Sequence, residues 1–196
     1  MNAQAREGRL TLAIDCATSY LALALVGGEG RVLARFAEDV GREHASRLVP
    51  ELHALTAGVP DWRERLALVV AGVGPGSYTG LRVALATAGG LARAVGADLR
   101  GAPTFAALAA GVLSPGEEAV VTLDARRGNV YAARCRRAPG PADLAPRVEL
   151  LAGPVKVPAA EAGSLAPGAR VAAAGAPDAA ALVASASEGP PAAIYL

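Results

Sequence analysis

The sequence predicts an α/β protein in two lobes, each a mixed sheet with flanking helices. Three observations carry that prediction. Residues 10–16, 20–26 and 31–37 are short apolar runs with brief links, the pattern of an antiparallel meander. A further apolar run at 66–72 passes through a glycine-rich turn into a helical segment at 78–95. Beyond Ser114-Pro-Gly-Glu-Glu118 a second set of strands begins. A boundary there gives an N-terminal lobe of residues 1–113 and a smaller C-terminal lobe of residues 114–196.

Each element has a local reason. Gly27-Gly-Glu-Gly30 supplies the permissive backbone of a turn before the third strand. In a helix over 44–57, Leu48, Leu52 and Leu55 fall at i, i+4 and i+7. Pro50 lies inside this pattern; it either kinks the helix or moves its start to about Leu48, with Pro50 in the first turn. Pro60-Asp61-Trp62 is a connector, 98–102 a short strand and 103–112 a short helix. In the second lobe, 119–124 is a strand that returns through Gly128-Asn129 into 130–135. Pro139-Gly-Pro-Ala is a loop, 146–153 and 169–174 are further strands, and 178–186 is a helix. Gly189-Pro-Pro is stiff and non-helical. There is no internal repeat at solenoid periods.

Composition narrows the functional classes. Apolar residues make up 53% but aromatics only 4%, so the core is Leu, Val and Ala, and alanine-rich helices must pack closely to hold. A net charge of +1 excludes a global basic field; any RNA contact needs a local patch or a partner's patch. Cys16 and Cys135 lie in apolar runs, where buried reduced thiols are expected ahead of a disulfide or metal pair. Residues 1–9 carry charges and no apolar core, unlike a signal peptide, and no uncharged apolar run reaches the ~18 residues of a membrane span. A soluble cytoplasmic protein is the expectation. His44 and His53 have no acidic or cysteine partner at ligand spacing, and no metal site is expected.

The chemistry concentrates in four places. Asp15 ends the first strand before Cys-Ala-Thr-Ser19; it either faces a phosphate through a metal or water, or accepts N–H bonds in its own turn. Gly74-Pro-Gly-Ser-Tyr-Thr-Gly80 joins strand to helix without the lysine of a Walker A loop. Ser77 is its expected N-cap, and Gly74 and Gly76 permit close approach, either for an anion or simply for a tight turn. Gly80, Ala84, Ala88 and Ala92 make a smooth stripe flanked by Leu81, Leu85 and Leu91, suited either to a partner helix or to internal packing. Asp124-Ala-Arg-Arg127 is a compact charged turn: Arg126 and Arg127 contact an anion or a partner carboxylate, or end a solvated hairpin.

Leu12-Ala-Ile-Asp-Cys-Ala-Thr-Ser19, Arg42-Glu-His-Ala-Ser-Arg-Leu-Val-Pro50, Gly74-Pro-Gly-Ser-Tyr-Thr-Gly-Leu-Arg-Val-Ala84 and Leu123-Asp-Ala-Arg-Arg-Gly-Asn-Val-Tyr131 together resemble the ordered motifs of the TsaB (YeaZ-type) family. Ala193-Ile-Tyr-Leu196 is similar to the family's closing motif. The resemblance implies the actin-like, Hsp70-like ATPase fold. It also implies a non-catalytic role in forming threonylcarbamoyladenosine in tRNAs that read codons beginning with A. The implied partners are the paralogous transferase TsaD and the ATPase TsaE, with a homodimer when the chain is alone. ATP and metal would then belong to partner subunits, this chain needing no cofactor, and tRNA would bind mainly through the partner. The paralogue's metal site takes two histidines four residues apart on its first helix; here His44 is followed by Leu48. The implied partner surface is helices 44–57 and 78–95, with Leu48, Leu52, Leu55, Gly80, Leu81, Ala84, Leu85, Ala88 and Leu91. Asp15, Gly74, Gly76, Ser77 and Asp124 would be remnants of an ancestral ATP site, in a cleft reduced by the short second lobe. The alternative is a stand-alone weak ATPase or a glycoprotease-like metallopeptidase of the same superfamily.

Overall fold

In the computed structural model, which describes residues 8–189 and 191–194, the expected meander is formed by β1 (Leu10–Asp15), β2 (Tyr20–Val26) and β3 (Val32–Asp39). β1 pairs antiparallel with β2, and β2 with β3. β4 (Leu66–Gly72) and β5 (Asp98–Ala102) add in parallel beyond β1, so the sheet order is β3-β2-β1-β4-β5. Parallel neighbours need crossovers. The first is α1 (His44–Thr56) with the short α2 (Trp62–Arg65), where the sequence suggested only a connector; the second is α3 (Tyr78–Val95).

The two faces of this sheet carry different side chains. Leu12, Ile14, Leu21, Leu23 and Leu25 pack with Leu48 and Leu52 of α1 and Ala84, Ala88 and Ala92 of α3. On the opposite face Ala13, Ala22 and Ala24 meet Phe105 to Ala110 of α4 (Thr104–Val112) and Ala180 to Leu182 of α5 (Ala180–Ala184). Alanine against alanine brings the helix close to the sheet, as the composition required.

The second sheet is β6 (Glu118–Asp124), β7 (Asn129–Arg137), β8 (Val148–Pro158) and β9 (Val171–Ala173), in the order β8-β7-β6-β9. β6 and β7 pair antiparallel, as do β7 and β8, while β9 runs parallel to β6. These four strands repeat the order β3-β2-β1-β4 of the first sheet. Ala119, Val121, Ala133 and Cys135 close over the far side of α4, which is thus sandwiched between the sheets. A 3₁₀ segment, Ala159–Leu165, covers the outer face through Ala162 against Val120 and Ala132. After α5 the chain returns to the first sheet. The Ser187 N–H and hydroxyl donate to Gly101 O at 2.9 and 3.0 Å, and the Ile194 N–H to Val73 O at 2.7 Å.

Some elements differ from the expectation. α1 starts at His44 and runs through Pro50. The missing N–H of Pro50 leaves Ser46 O without a helical donor, and Ser46 is exposed to solvent. β8 continues past 153 because a bulge at Gly153 (φ 82°) lets the ladder resume at Val155 opposite Ala132. Both cysteines are buried free thiols; burial pushes Cys135 up to about 12 and raises Cys16 as well. Residues 1–7, Pro190, Tyr195 and Leu196 lie outside the described residues, so the readings of the N-terminal segment, the Gly189-Pro-Pro tail and the closing motif fall partly there.

One contact between β7 and α4 matters for stability. The Arg137 guanidinium donates through a single Nη1 to Ala110 O at 2.9 Å and Leu113 O at 2.8 Å, at the C-terminal end of α4. A cation at a helix C-terminus satisfies open carbonyls and the helix dipole. Arg137→Ala should cost about 1–2 kcal/mol in urea denaturation, and Arg137→Lys should recover part of it.

Candidate functional site

Asp15 sits at the end of β1, where the strand gives way to the Cys16–Ser19 link. It is 1% exposed. Its Oδ1 accepts the Ala17 N–H at 2.8 Å and its Oδ2 accepts the Thr104 hydroxyl at 2.7 Å. Thr104 Oγ1 in turn accepts the Gly74 N–H at 3.1 Å, and the Thr104 N–H donates to Gly74 O at 3.0 Å. Burial raises the Asp15 pKa, opposed by the Ala17 and Thr104 hydrogen bonds and by His44. A Cβ on Gly72 would lie 1.9 Å from Asp15 Oδ2, so that backbone seals the carboxylate in. Asp15 is therefore a turn-capping anchor and not an accessible remnant of a phosphate site. Of the two readings that the sequence leaves open for Asp15, the structure shows the turn cap; Thr104, the residue that locks it, went unnoticed.

The glycine-rich turn is held by the same link. Ser77 caps α3 as expected, accepting the Gly80 N–H at 3.2 Å, while its own N–H donates to Ala17 O at 2.7 Å. A Cβ on Gly76 would meet Ala17 O at 2.1 Å, and one on Gly80 would meet Cys16 O at 1.9 Å. Gly74 adopts φ 93° and is buried. The close approach that these glycines permit is thus spent on the chain's own β1–β2 link. From this region Gly76, Ser77, Thr79 and Gly80 line a cleft of about 700 Å³.

That cleft lies between the two sheets. Ser19 and Arg42 line it from the first, and Asp124 and Arg126 from the β6–β7 hairpin. Asp124 is exposed; its Oδ1 accepts the Arg126 N–H at 2.9 Å and its Oδ2 lies 3.7 Å from the Arg126 guanidinium. Arg126, Arg127 and Gly128 form the turn, all at positive φ (68°, 54° and 75°), and β7 starts at Asn129, one residue before the strand expected there. His44 is buried and donates from Nε2 to Tyr20 O at 3.1 Å, while His53 is exposed on α1. Among the described residues no group of three or more His, Cys, Asp or Glu is placed to hold a metal.

The helical surface needs the largest correction. Gly80, Leu81, Ala84 and Ala88 of α3 and Leu48 and Leu52 of α1 are buried against the first sheet and the β1–β2 link. The small-residue stripe is α3's inner face, so these six do not reach a partner, and bulk at Ala84 or Ala88 would strike the core. Leu55, Leu85 and Leu91 are half-buried at its margin. Half a turn away lies a second stripe: Arg82, Ala86, Gly90 and Ala94, four residues apart and exposed. Among the described residues, Val49 on α1 (62% exposed) and Tyr78 on α3 (58%) are the most exposed large apolar side chains.

Two sheets of one strand order, packed about a central helix with a cleft between their first hairpins, define the actin-like ATPase class. The family model described as TsaD, tRNA N6-adenosine threonylcarbamoyltransferase, matches residues 36–148. The chain belongs to this family, and within it is of the TsaB (YeaZ) type. It is 39% identical over 139 residues to an uncharacterized protein of Mycobacterium leprae, covering 68% of this chain and 38% of that one. It is 32% identical over 126 residues to the tRNA threonylcarbamoyladenosine biosynthesis protein TsaB of Bacillus subtilis, covering 61% and 52%. The chain thus spans about half the length of these curated relatives, or less. In structure it resembles YeaZ from Pseudomonas aeruginosa with a TM-score of 0.71 at 24% identity, covering 90% of this chain and 89% of that one, a likeness of fold. Among the described residues no helix is long and apolar enough to cross a membrane.

Proposed function

We propose that this chain is a non-transferring partner subunit in the formation of N6-threonylcarbamoyladenosine in tRNA, supporting a TsaD-type transferase. The curated TsaB relative gives the pathway. The sealed Asp15 and the self-engaged Asp124 argue for a supporting role over ATP turnover or peptide hydrolysis by this chain. ATP and metal chemistry would then reside in the partners, with the ATPase TsaE joining the pair in the cytoplasm.

One observation carries the pairing surface. Gly89 and Gly90 sit inside an 18-residue helix, where glycine costs about 1 kcal/mol relative to alanine. Internal packing does not require them: a Cβ on Gly90 would meet nothing within 4 Å, and one on Gly89 only Leu99 Cδ2 at 3.8 Å. Glycine there, in line with Ala86 and Ala94, lets another backbone approach from outside. Tyr78, four residues before Arg82 on the same helix and exposed, extends that face as an apolar anchor. A paralogue of the same fold can present the same surface, and so can a second copy.

Size-exclusion chromatography with light scattering tests this on the chain alone and mixed with its TsaD-type transferase. The expected result is a homodimer converting to a heterodimer. Gly90→Trp should keep the wild-type circular dichroism and melting temperature yet weaken pairing at least tenfold. Unchanged pairing in that folded variant would rule out this face, and no association at all would rule out the subunit role.

A further inference from the structure

The cleft and its rim have a charge pattern that the pairing surface does not use. The carboxylate that lines it, Asp124, is engaged by the Arg126 N–H and guanidinium. The other polar groups facing the space include the hydroxyls of Thr18, Ser19, Ser77 and Thr79 and the guanidinium of Arg42. Asp15 is sealed below the floor. Arg42 and Arg127 make no ion pair among the described residues, and the Arg126 side chain is 88% exposed. Lys156 adds a cation beside Tyr131 on the same side of β7, 5.8 Å from the ring centre. The cavity therefore offers donors and positive charge, and the carboxylates at it are engaged within the chain: Asp124 by Arg126, and Asp39 at the rim by the Ser19 hydroxyl and the Gly41 N–H.

The turn itself points the same way. Arg126 and Arg127 both hold left-handed backbone, a conformation that glycine or asparagine adopts at lower cost. No burial or ion pair of Arg127 offsets that cost inside the chain. Two arginines kept in strained, exposed positions at a cleft mouth are suited to an external anion. The charges also extend past the cavity: Arg42 stands on the first-sheet side, Arg126 on the hairpin, and Arg127 and Lys156 beyond it. A mononucleotide would occupy the cavity and leave the outer two unused, whereas a polyanion would follow all four.

Resting on the proposed role in tRNA modification, we infer that this cleft mouth binds the phosphodiester backbone of the tRNA substrate, so that the supporting subunit helps to hold the RNA that its partner modifies. Each neutralised phosphate contributes a share of the salt dependence of binding.

The test uses the chain assembled with its transferase and an unmodified transcript of a tRNA that reads a codon beginning with A, with affinity followed by fluorescence anisotropy across a salt series. The variant is Arg126→Gly combined with Arg127→Gly, chosen because glycine suits the left-handed turn and preserves the hairpin. It should assemble normally, melt at or above the wild-type temperature, and bind the transcript about tenfold more weakly or worse. The slope of log affinity against log salt should also flatten by about 1–2. Arg42→Gln should weaken binding in the same direction. Unchanged affinity and slope in the assembled variant overturns the inference while leaving the subunit role intact. So does a loss confined to ATP binding, measured by calorimetry on the same samples. Failure of the wild-type chain to assemble with the transferase overturns both.

Discussion

Gly80→Ala should lower stability by about 3 kcal/mol, while Gly90→Ala in the same helix should raise it by up to about 1 kcal/mol. By helix propensity alone both changes stabilise. The environments reverse the first. A Cβ at Gly80 would stand 1.9 Å from Cys16 O, a backbone atom that cannot swing aside, and Cys16 follows the Asp15 turn. Relief means lifting the N-terminus of α3 from the link and straining the Ser77 N–H to Ala17 O bond. At Gly90 the added methyl meets nothing. Thermal unfolding should place Gly80→Ala about 6–12 °C below wild type and Gly90→Ala at or above it. Equal melting temperatures would mean that the link does not lie on the helix.

This pair shows what was legible in the sequence and what was not. The helix over 78–95 was readable to the residue, because Ser77 caps it and Gly96 ends it at φ 71°. Its buried stripe was readable as a stripe. Which side the sheet would take was not, since Gly80/Ala84/Ala88 and Ala86/Gly90/Ala94 are both smooth. The decision falls to Leu81, buried beside the inner stripe, and to Arg82 and Arg93, which keep the outer one in water. The 3.6-residue period defines faces; what packs on them is a tertiary matter.

The site was legible in its pieces and misleading in its roles. Glycines that let a ligand approach and glycines that let a carbonyl approach are the same letters. Here the occupants are Ala17 O and Cys16 O, contributed by a link about sixty residues earlier in the chain. Asp15 was recognisable as a strand-end carboxylate, yet its closure depends on Thr104, 89 residues away. The cleft is similarly non-local: its two rims are hairpins from sheets whose repeated strand order leaves no repeat in the sequence. The Arg126-Arg127 turn could be found because its charges are adjacent, but its strain appears only in the backbone.

Asp15→Ala should cost about 2–4 kcal/mol at neutral pH, the price of leaving the buried Ala17 N–H and Thr104 hydroxyl with one partner fewer each. Thr104 cannot simply turn elsewhere, since its oxygen already receives the Gly74 N–H. The loss should therefore spread to the glycine-rich turn, and hydrogen exchange at Gly74 should quicken. The pH dependence gives a second readout. Burial raises the folded-state pKa of Asp15 above the ordinary 3.8 of the unfolded chain, so over the interval between them the unfolded chain sheds this proton first. The unfolded state then binds fewer protons than the native one, and stability falls as pH rises through that interval. The contribution is fully present below the unfolded pKa and lost above the folded one. Urea denaturation of wild type and Asp15→Ala from pH 4 upward should show the difference between them narrowing as pH rises, to a plateau set by the hydrogen bonds alone. A difference that widened instead would mean that Asp15 is held as a stabilised carboxylate, with the Ala17 and Thr104 bonds outweighing the cost of burial.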